Sequence, residues 1–257
     1  MADIDVAVQD RIAVVTLNRP AERNAMTLAM WKGIVDIFSR LGVDPEVRAI
    51  ILTGAGRNFS VGADVSEFSK VRSNIAESKA YEVAVDASSD AIASAPKPVI
   101  AVLEGYCLGG GCHLSMACDF RYADAETSIG IPAAKLSIVY GVRSTQRLLA
   151  LVGLANAKRV LYAAERFRAG DAARMGLIDH VSTDPMSAAK ALAADIAGLA
   201  PLSVAGAKRI LTGLSMGAGA LDLREADSLI DAASASEDYE EGRRAFAEKR
   251  APVFRGK

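Results

Sequence analysis

What this chain lacks narrows its chemistry before any motif is considered. It carries no net field, because 30 Lys and Arg stand against 31 Asp and Glu, so nothing draws nucleic acid or an anionic membrane surface to it. It has no uncharged apolar run long enough to cross a bilayer. The opening "MADIDVAVQD" has no basic segment ahead of an apolar one, so no signal peptide is expected. Cysteine is scarce: Cys107, Cys112 and Cys118 are an odd set, which argues against a disulfide framework. They flank His113 without any CxxC spacing, and neighbours such as Cys112 and His113 diverge on a helix, so buried thiols are expected and no metal site. There is no Gly-Lys-Ser/Thr phosphate loop and no GxGxxG fingerprint. Nor is there an internal repeat or a low-complexity linker. Together these absences predict a cytoplasmic protein, or one from a similarly reducing compartment.

What is present is a regular alternation of elements. "DIDVAVQDRIAVVTLNRP" alternates apolar and polar residues around a Gln9-Asp10-Arg11 turn and predicts a β-hairpin. In "TLAMWKGIVDIFSRLG" the apolar residues recur at helical spacing, with Thr27 as the cap and Gly42 as the stop. "VRAIILTG" and "PVIAVLEG" are short continuous apolar runs of the kind covered on both faces by helices, and "DFRYADA" reads as a third strand. An α/β core with largely parallel strands follows. From about residue 143 the pattern is helical almost throughout, apart from one short strand at "GLIDHVS", where His180 reads as structural. Pro201 is placed to open a helix, and "SEDYEEGRRAFAEKR" sets acids in its first turns and bases in its last. The expected division is a core domain over 1–196 and a helical region over 197–257.

Two glycine-bearing turns carry the chemistry. "RNFSVGADVSEF" follows one buried strand and "GYCLGGGCHL" another, each leading into a helix with backbone N–H groups left free. Two such N–H groups from separate loops can converge on one oxygen as an oxyanion hole. On spacing alone they are equally readable as two tight strand-to-helix turns.

Seven pieces in register make the chain recognisable: "VVTLNRPAERNAM", "AIILTGAGRNFSVGADVSEF", "KPVIAVLEGYCLGGGCHLSMACDFRYAD", "IGIPAAKL", "TQRLLALVG", "RAGDAARMGLIDHV" and "EGRRAFAEKRAPVF". Over nearly its whole length the chain resembles the crotonase, or enoyl-CoA hydratase/isomerase, superfamily. The resemblance implies a crotonase-like α/β spiral of stacked ββα turns and a helical C-terminal trimerisation region, assembled as a homotrimer or a dimer of trimers. It implies an acyl-CoA thioester as substrate, with no resident cofactor, and an enolate-like intermediate held by the N–H groups of Ala63 and Gly110. Gly110 would be bare to let the acyl chain pass. Arg23, Ala25, Gly62, Ala63, Asp64 and Val65 would grip the CoA portion, with Gly109, Gly110, Pro132 and Ala133 beside the thioester. Phe254 and Lys257 fall where some relatives reach a neighbouring subunit's CoA.

The chain departs from the family where hydratases keep two glutamates: one position is His113 and the other is Ala133. An alanine can neither activate water nor protonate carbon. His113, titrating near neutral pH, is a candidate proton carrier or else a core histidine. Tyr140, in "LSIVY", is a candidate acid or hydrogen-bond donor to a substrate carboxylate, or else an interface aromatic. Glu67 is a spare base candidate or an acid at a helix start. Three readings stay open: a hydratase/isomerase using His113, a decarboxylase or lyase of malonyl-type thioesters, and a silent acyl-CoA binder. RNA binding is rejected, since the helix after "ERNAM" carries only Lys32 and Arg40.

Overall fold

The structure, a computed structural model, describes residues 3–217 and 219–257. β1 (Ile4–Gln9) and β2 (Ile12–Leu17) form the expected hairpin. Its two-residue turn puts both Asp10 and Arg11 at positive φ, the geometry whose twist matches the strands. α1 (Leu28–Val43) starts where Thr27 accepts the Met30 N–H at 3.2 Å. It runs one residue past Gly42 and does not stop there, because that glycine is a packing site: a Cβ on it would lie 3.1 Å from the Pro96 ring.

β3 (Ala49–Gly54) leads through a 3₁₀ turn at Val65–Glu67 to the short α2 (Phe68–Val71) and then to α3 (Ile75–Ser94). β4 (Val99–Leu103), β5 (Tyr106–Leu108), α4 (Gly110–Ala117) and β6 (Phe120–Ala123) follow. β7 (Ser128–Gly130) precedes a 3₁₀ turn at Ala133–Leu136 and α5 (Val142–Tyr162), which is broken at Gly153. After β8 (Arg166–Arg168), α6 (Ala169–Arg174) and β9 (His180–Val181) the rest is helical: α7 (Pro185–Ala197), α8 (Pro201–Ser215), α9 (Leu223–Ser234) and α10 (Glu237–Glu248). β8 was not foreseen, since three alternating residues carry too little pattern to interrupt a helical stretch.

The main sheet has the order β1-β2-β3-β4-β6-β9 and is parallel beyond the hairpin, while β5, β7 and β8 make a small second sheet. Ile50, Leu52, Val99, Ala101 and Leu103 face a large core with α1 and α3. The alternate residues Ile51, Ile100 and Val102 face Ala189 and Ala193 of α7. Continuous apolar strands are therefore explained by two covered faces. α7 ends at Ala197, and α8 leaves it at 113°. Lys208 of α8 is tied to the core by donating to the Asp119 carboxylate at 2.7 Å and to the Lys97 carbonyl at 3.0 Å.

α10 corrects the expected charge pattern. Its first turn holds Glu237, Asp238 and Glu240, but no base lies in its last turn. Lys249 turns left-handed and ends the helix, and Arg250 folds back onto Glu241 at 2.6 Å. Asp238 accepts the N–H groups of Arg255 and Gly256, both at 2.7 Å, so within this chain the tail is tied to its own helix, with Phe254 against Gly242. Among the described residues no single helix is long and apolar enough to cross a membrane.

Candidate active site

The first turn is fixed on both sides of Ala63. Ser60 donates its N–H to Tyr106 and accepts from Leu108 through its carbonyl, both at 2.9 Å, which seats the loop against β5. Its hydroxyl donates to the Asn24 carbonyl at 2.7 Å and accepts the Gly62 N–H at 3.0 Å. Gly62 accepts from Met26, and Asp64 donates to Met26. Arg19 then clamps the segment, reaching the Ala25 carbonyl at 2.7 Å and the Asp64 carboxylate at 2.9 Å. Between these ties the N–H of Ala63 meets no acceptor among the described residues.

The second turn is built from the peptide outward. The Gly109 N–H donates to Gly130, and the Gly109 carbonyl accepts from the His113 N–H and the Tyr140 hydroxyl, each bond 2.9 Å. Gly110, the first residue of α4, likewise has no acceptor for its N–H among the described residues. The two turns touch. A Cβ on Gly62 would lie 2.6 Å from the Gly110 nitrogen, so only glycine fits there, and its φ of 93° points the same way. A Cβ on Gly110 would meet the Trp31 indole at 2.9 Å and the Ala63 nitrogen at 3.3 Å. Within the chain itself, the neighbour that would crowd a side chain at Gly110 is therefore Trp31. That indole is fully buried and donates to the Tyr81 hydroxyl at 2.8 Å.

Ala63 and Gly110 border a cavity of about 200 Å³ whose other walls include Trp31, His113, Ala133 and Tyr140. His113 is only 3% exposed, and its Nε2 has no partner among the described residues. Burial, helped by the Arg147 charge, lowers its pKa to about 4, against a smaller opposing hydrogen bond with the Val85 backbone. The ring is therefore neutral at neutral pH, which corrects the expectation that it titrates there. Tyr140 stands edge-on to it, 6.1 Å between ring centres, and burial pushes its phenol well up. Ala133 is buried on the same wall and brings no polar side-chain atom.

Two carboxylates of α3, Glu82 and Asp86, also line the cavity. Asp86 is half-buried, and no donor among the described residues reaches its carboxylate, whose oxygens lie 3.6 and 3.8 Å from where a Gly141 Cβ would be. Burial and then the neighbouring Asp90 raise its pKa, against Arg147 and Arg143. It is an unengaged carboxylate in a cavity whose lining is mostly apolar but also includes Arg72, Glu82, His113 and Ser144.

The sequence pattern of the enoyl-CoA hydratase/isomerase family matches residues 7–257. The chain belongs to that family. It is 34% identical to the short-chain-enoyl-CoA hydratase of Clostridium acetobutylicum, over 94% of this chain and 93% of the relative. It is 32% identical to the 2,3-dehydroadipyl-CoA hydratase of Escherichia coli over the full length of both. An enoyl-CoA hydratase/carnithine racemase from Magnetospirillum magneticum superposes with a TM-score of 0.93, at 33% identity, covering 100% of this chain and 97% of that one. The fold is accordingly that of the crotonase superfamily, a mixed α/β core with a helical C-terminal region.

Within this family member the residues singled out by sequence divide. Ala63, Val65, Gly109, Gly110, His113, Pro132, Ala133 and Tyr140 line the cavity. Arg23, Ala25, Gly62 and Asp64 do not. Arg23 is exposed and lies over the Tyr106 ring at 5.5 Å, Ala25 is buried beneath Arg19, and Gly62 supports the Gly110 turn from behind. The Asp64 carboxylate is taken up by Arg19 and Ser66, which together lower its pKa, and its N–H is bonded to Met26. Glu67 accepts the Leu28 N–H at 2.9 Å, so it caps α1 and is not free as a base. The three cysteines are buried free thiols, with Cys112 and Cys118 pushed up to about 12 by burial. His180 pairs with Tyr122 at 4.7 Å, outside the cavity lining. Sequence reasoning missed Arg19, Trp31 and the α3 wall of Tyr81, Val85 and Asp86. Spacing at 81, 85 and 89 gives one face of a helix, but Ser and Ala dilute it.

Proposed function

We propose that this protein is an acyl-CoA enzyme that binds the thioester carbonyl oxygen between the N–H groups of Ala63 and Gly110 and moves a proton on the α-carbon through an enolate-like intermediate. The observation that carries this reading is the pair of unengaged N–H groups from two interlocked turns at one apolar cavity. Charge developing on the oxygen would meet dipoles already aimed, in a mostly apolar cavity, which is where such donors count most. The acyl-CoA assignment is supported by family membership and by the names of the relatives.

The proton carrier in this reading is Asp86. A carboxylate with a raised pKa and no internal partner is closer to the pKa of a useful base than a solvated one. A single carboxylate serves double-bond isomerisation, in which a proton leaves one carbon and returns to another, better than it serves hydration, which needs a second group to manage water. The malonyl-type decarboxylase reading is less well supported. Its substrate would bring a carboxylate beside Glu82 and Asp86, and the Tyr140 hydrogen is already committed to Gly109. The exposed Leu211, Leu214, Leu223, Ile230 and Phe246 on the last three helices support a homotrimer or a dimer of trimers, to be checked by light scattering.

The test does not depend on knowing the acyl group. Butyryl-CoA incubated with the enzyme in heavy water should gain deuterium at the α-carbon, read by mass spectrometry, and Asp86→Asn should slow the gain. Binding of butyryl-CoA without any exchange would overturn the proton-transfer reading and leave the decarboxylase and the silent binder.

A further inference from the structure

We propose that Tyr140 is a positioning residue, whose hydroxyl holds the Gly109–Gly110 peptide in the orientation that presents the Gly110 N–H to the thioester oxygen. This deepens the oxyanion reading and rests on it.

The C=O of Gly109 and the N–H of Gly110 are two ends of one planar group, so whatever holds the carbonyl aims the N–H. That carbonyl takes two hydrogen bonds of 2.9 Å, from the His113 N–H and from the Tyr140 hydroxyl, which uses both of its lone pairs. The first is the opening helical bond of α4. The second comes from a different element and is not needed to form the helix. Gly109 sits at φ 51°, ψ −114°, a region with little intrinsic preference to hold the peptide in place. Without the phenol, rotation about the glycine bonds could turn the peptide and carry the N–H away from the cavity.

The bond also acts through the peptide. Donation to the carbonyl draws electron density from the amide and makes its N–H a stronger donor, as in any chain of polarised hydrogen bonds. Tyr140 is suited to the task. Its segment is anchored where Ile138 donates to the Ala133 carbonyl at 3.1 Å, and its ring is wedged edge-on against His113. Burial keeps the phenol protonated, hence a donor, throughout the working range of pH. Tyr140 therefore acts on the substrate through Gly110 and need not touch the reacting carbon.

The experiment is infrared difference spectroscopy of butyryl-CoA carrying carbon-13 at the thioester carbonyl, bound to wild type and to Tyr140→Phe. In wild type the bound carbonyl stretch should fall below its free value. In Tyr140→Phe it should move back towards the free value, with α-proton exchange about tenfold slower, the effect of one lost hydrogen bond. Affinity for butyryl-CoA should stay within about twofold, because the loss concerns the transition state more than binding. An unchanged stretch in Tyr140→Phe overturns the positioning role while leaving the oxyanion hole standing. A wild-type stretch equal to that of free butyryl-CoA overturns the oxyanion reading itself. Should Tyr140→Phe not fold, a fluorinated tyrosine at 140, which donates more strongly, should lower the stretch further, and no change there also overturns the proposal.

Discussion

The two halves of the cavity are made in opposite ways. The Ala63–Gly110 half is backbone, held by Ser60, Met26, Gly130, Arg19 and Tyr140 through bonds that leave two N–H groups over. The half formed by His113, Ala133 and Asp86 is side chain, and its polar atoms are poorly engaged: among the described residues nothing pairs with His113 Nε2 and no donor reaches the Asp86 carboxylate. A backbone half fixed by neighbours can serve any acyl thioester, whereas the side-chain half decides which reaction follows. This is how one scaffold can serve more than one reaction.

Asp86→Asn gives the largest separation of the two halves. It should slow α-proton exchange by about 100-fold or more, the scale of a lost general base, while the carbonyl stretch of bound butyryl-CoA stays low. If exchange survives unchanged, the proton carrier lies elsewhere and the side-chain half has been misassigned.

His113 separates them by pH. Its folded pKa of about 4 lies below the unfolded value, so between roughly pH 6.5 and 4 the unfolded chain binds more protons. Stability should fall as pH drops through that window, by up to roughly 3 kcal/mol from this group, and should be insensitive to it above. Chemical denaturation of wild type and His113→Gln at pH 7.5 and 5 should show a smaller loss in the variant. Equal losses would mean that the ring is not held neutral.

Gly110→Ala breaks the backbone half, at a cost of about 1–3 kcal/mol in denaturation, as overpacking does. Pairing it with Trp31→Phe, which removes the indole atoms 2.9 and 3.0 Å from the new methyl, should recover part of that loss. No recovery would mean that another contact demands the glycine. Arg19→Ala is the mildest break. Loss of its bonds to Asp64 and Ala25 should cost about 1 kcal/mol and weaken carbonyl polarisation without abolishing binding.

Much of this was legible in order along the chain. The hairpin, α1 with its Thr27 cap, the buried strands β3 and β4 and the Pro201 helix start all follow from periodicity and capping, which are local. The two glycine turns were visible as turns, and the family's motifs could be set in register along the chain. Function at the level of family was therefore contained in the sequence.

The rest needed three dimensions, because it depends on which distant residues meet. Nothing near Gly110 in sequence says that Trp31 fills the space over it, or that the Tyr140 hydrogen goes to Gly109. His113 looked like a neutral-pH titrator because its chemistry is local, but its pKa is set by burial and by Arg147, which lies in another helix. Asp64, expected on CoA, and Glu67, a spare base candidate, were read locally in the same way, whereas Arg19 and the start of α1 hold their carboxylates. Asp86 was one acid among many on a helix of weak pattern, and only packing set it in the cavity. Sequence determined the elements and the family. Tertiary structure decided which polar groups were used up in building the site and which were left to act.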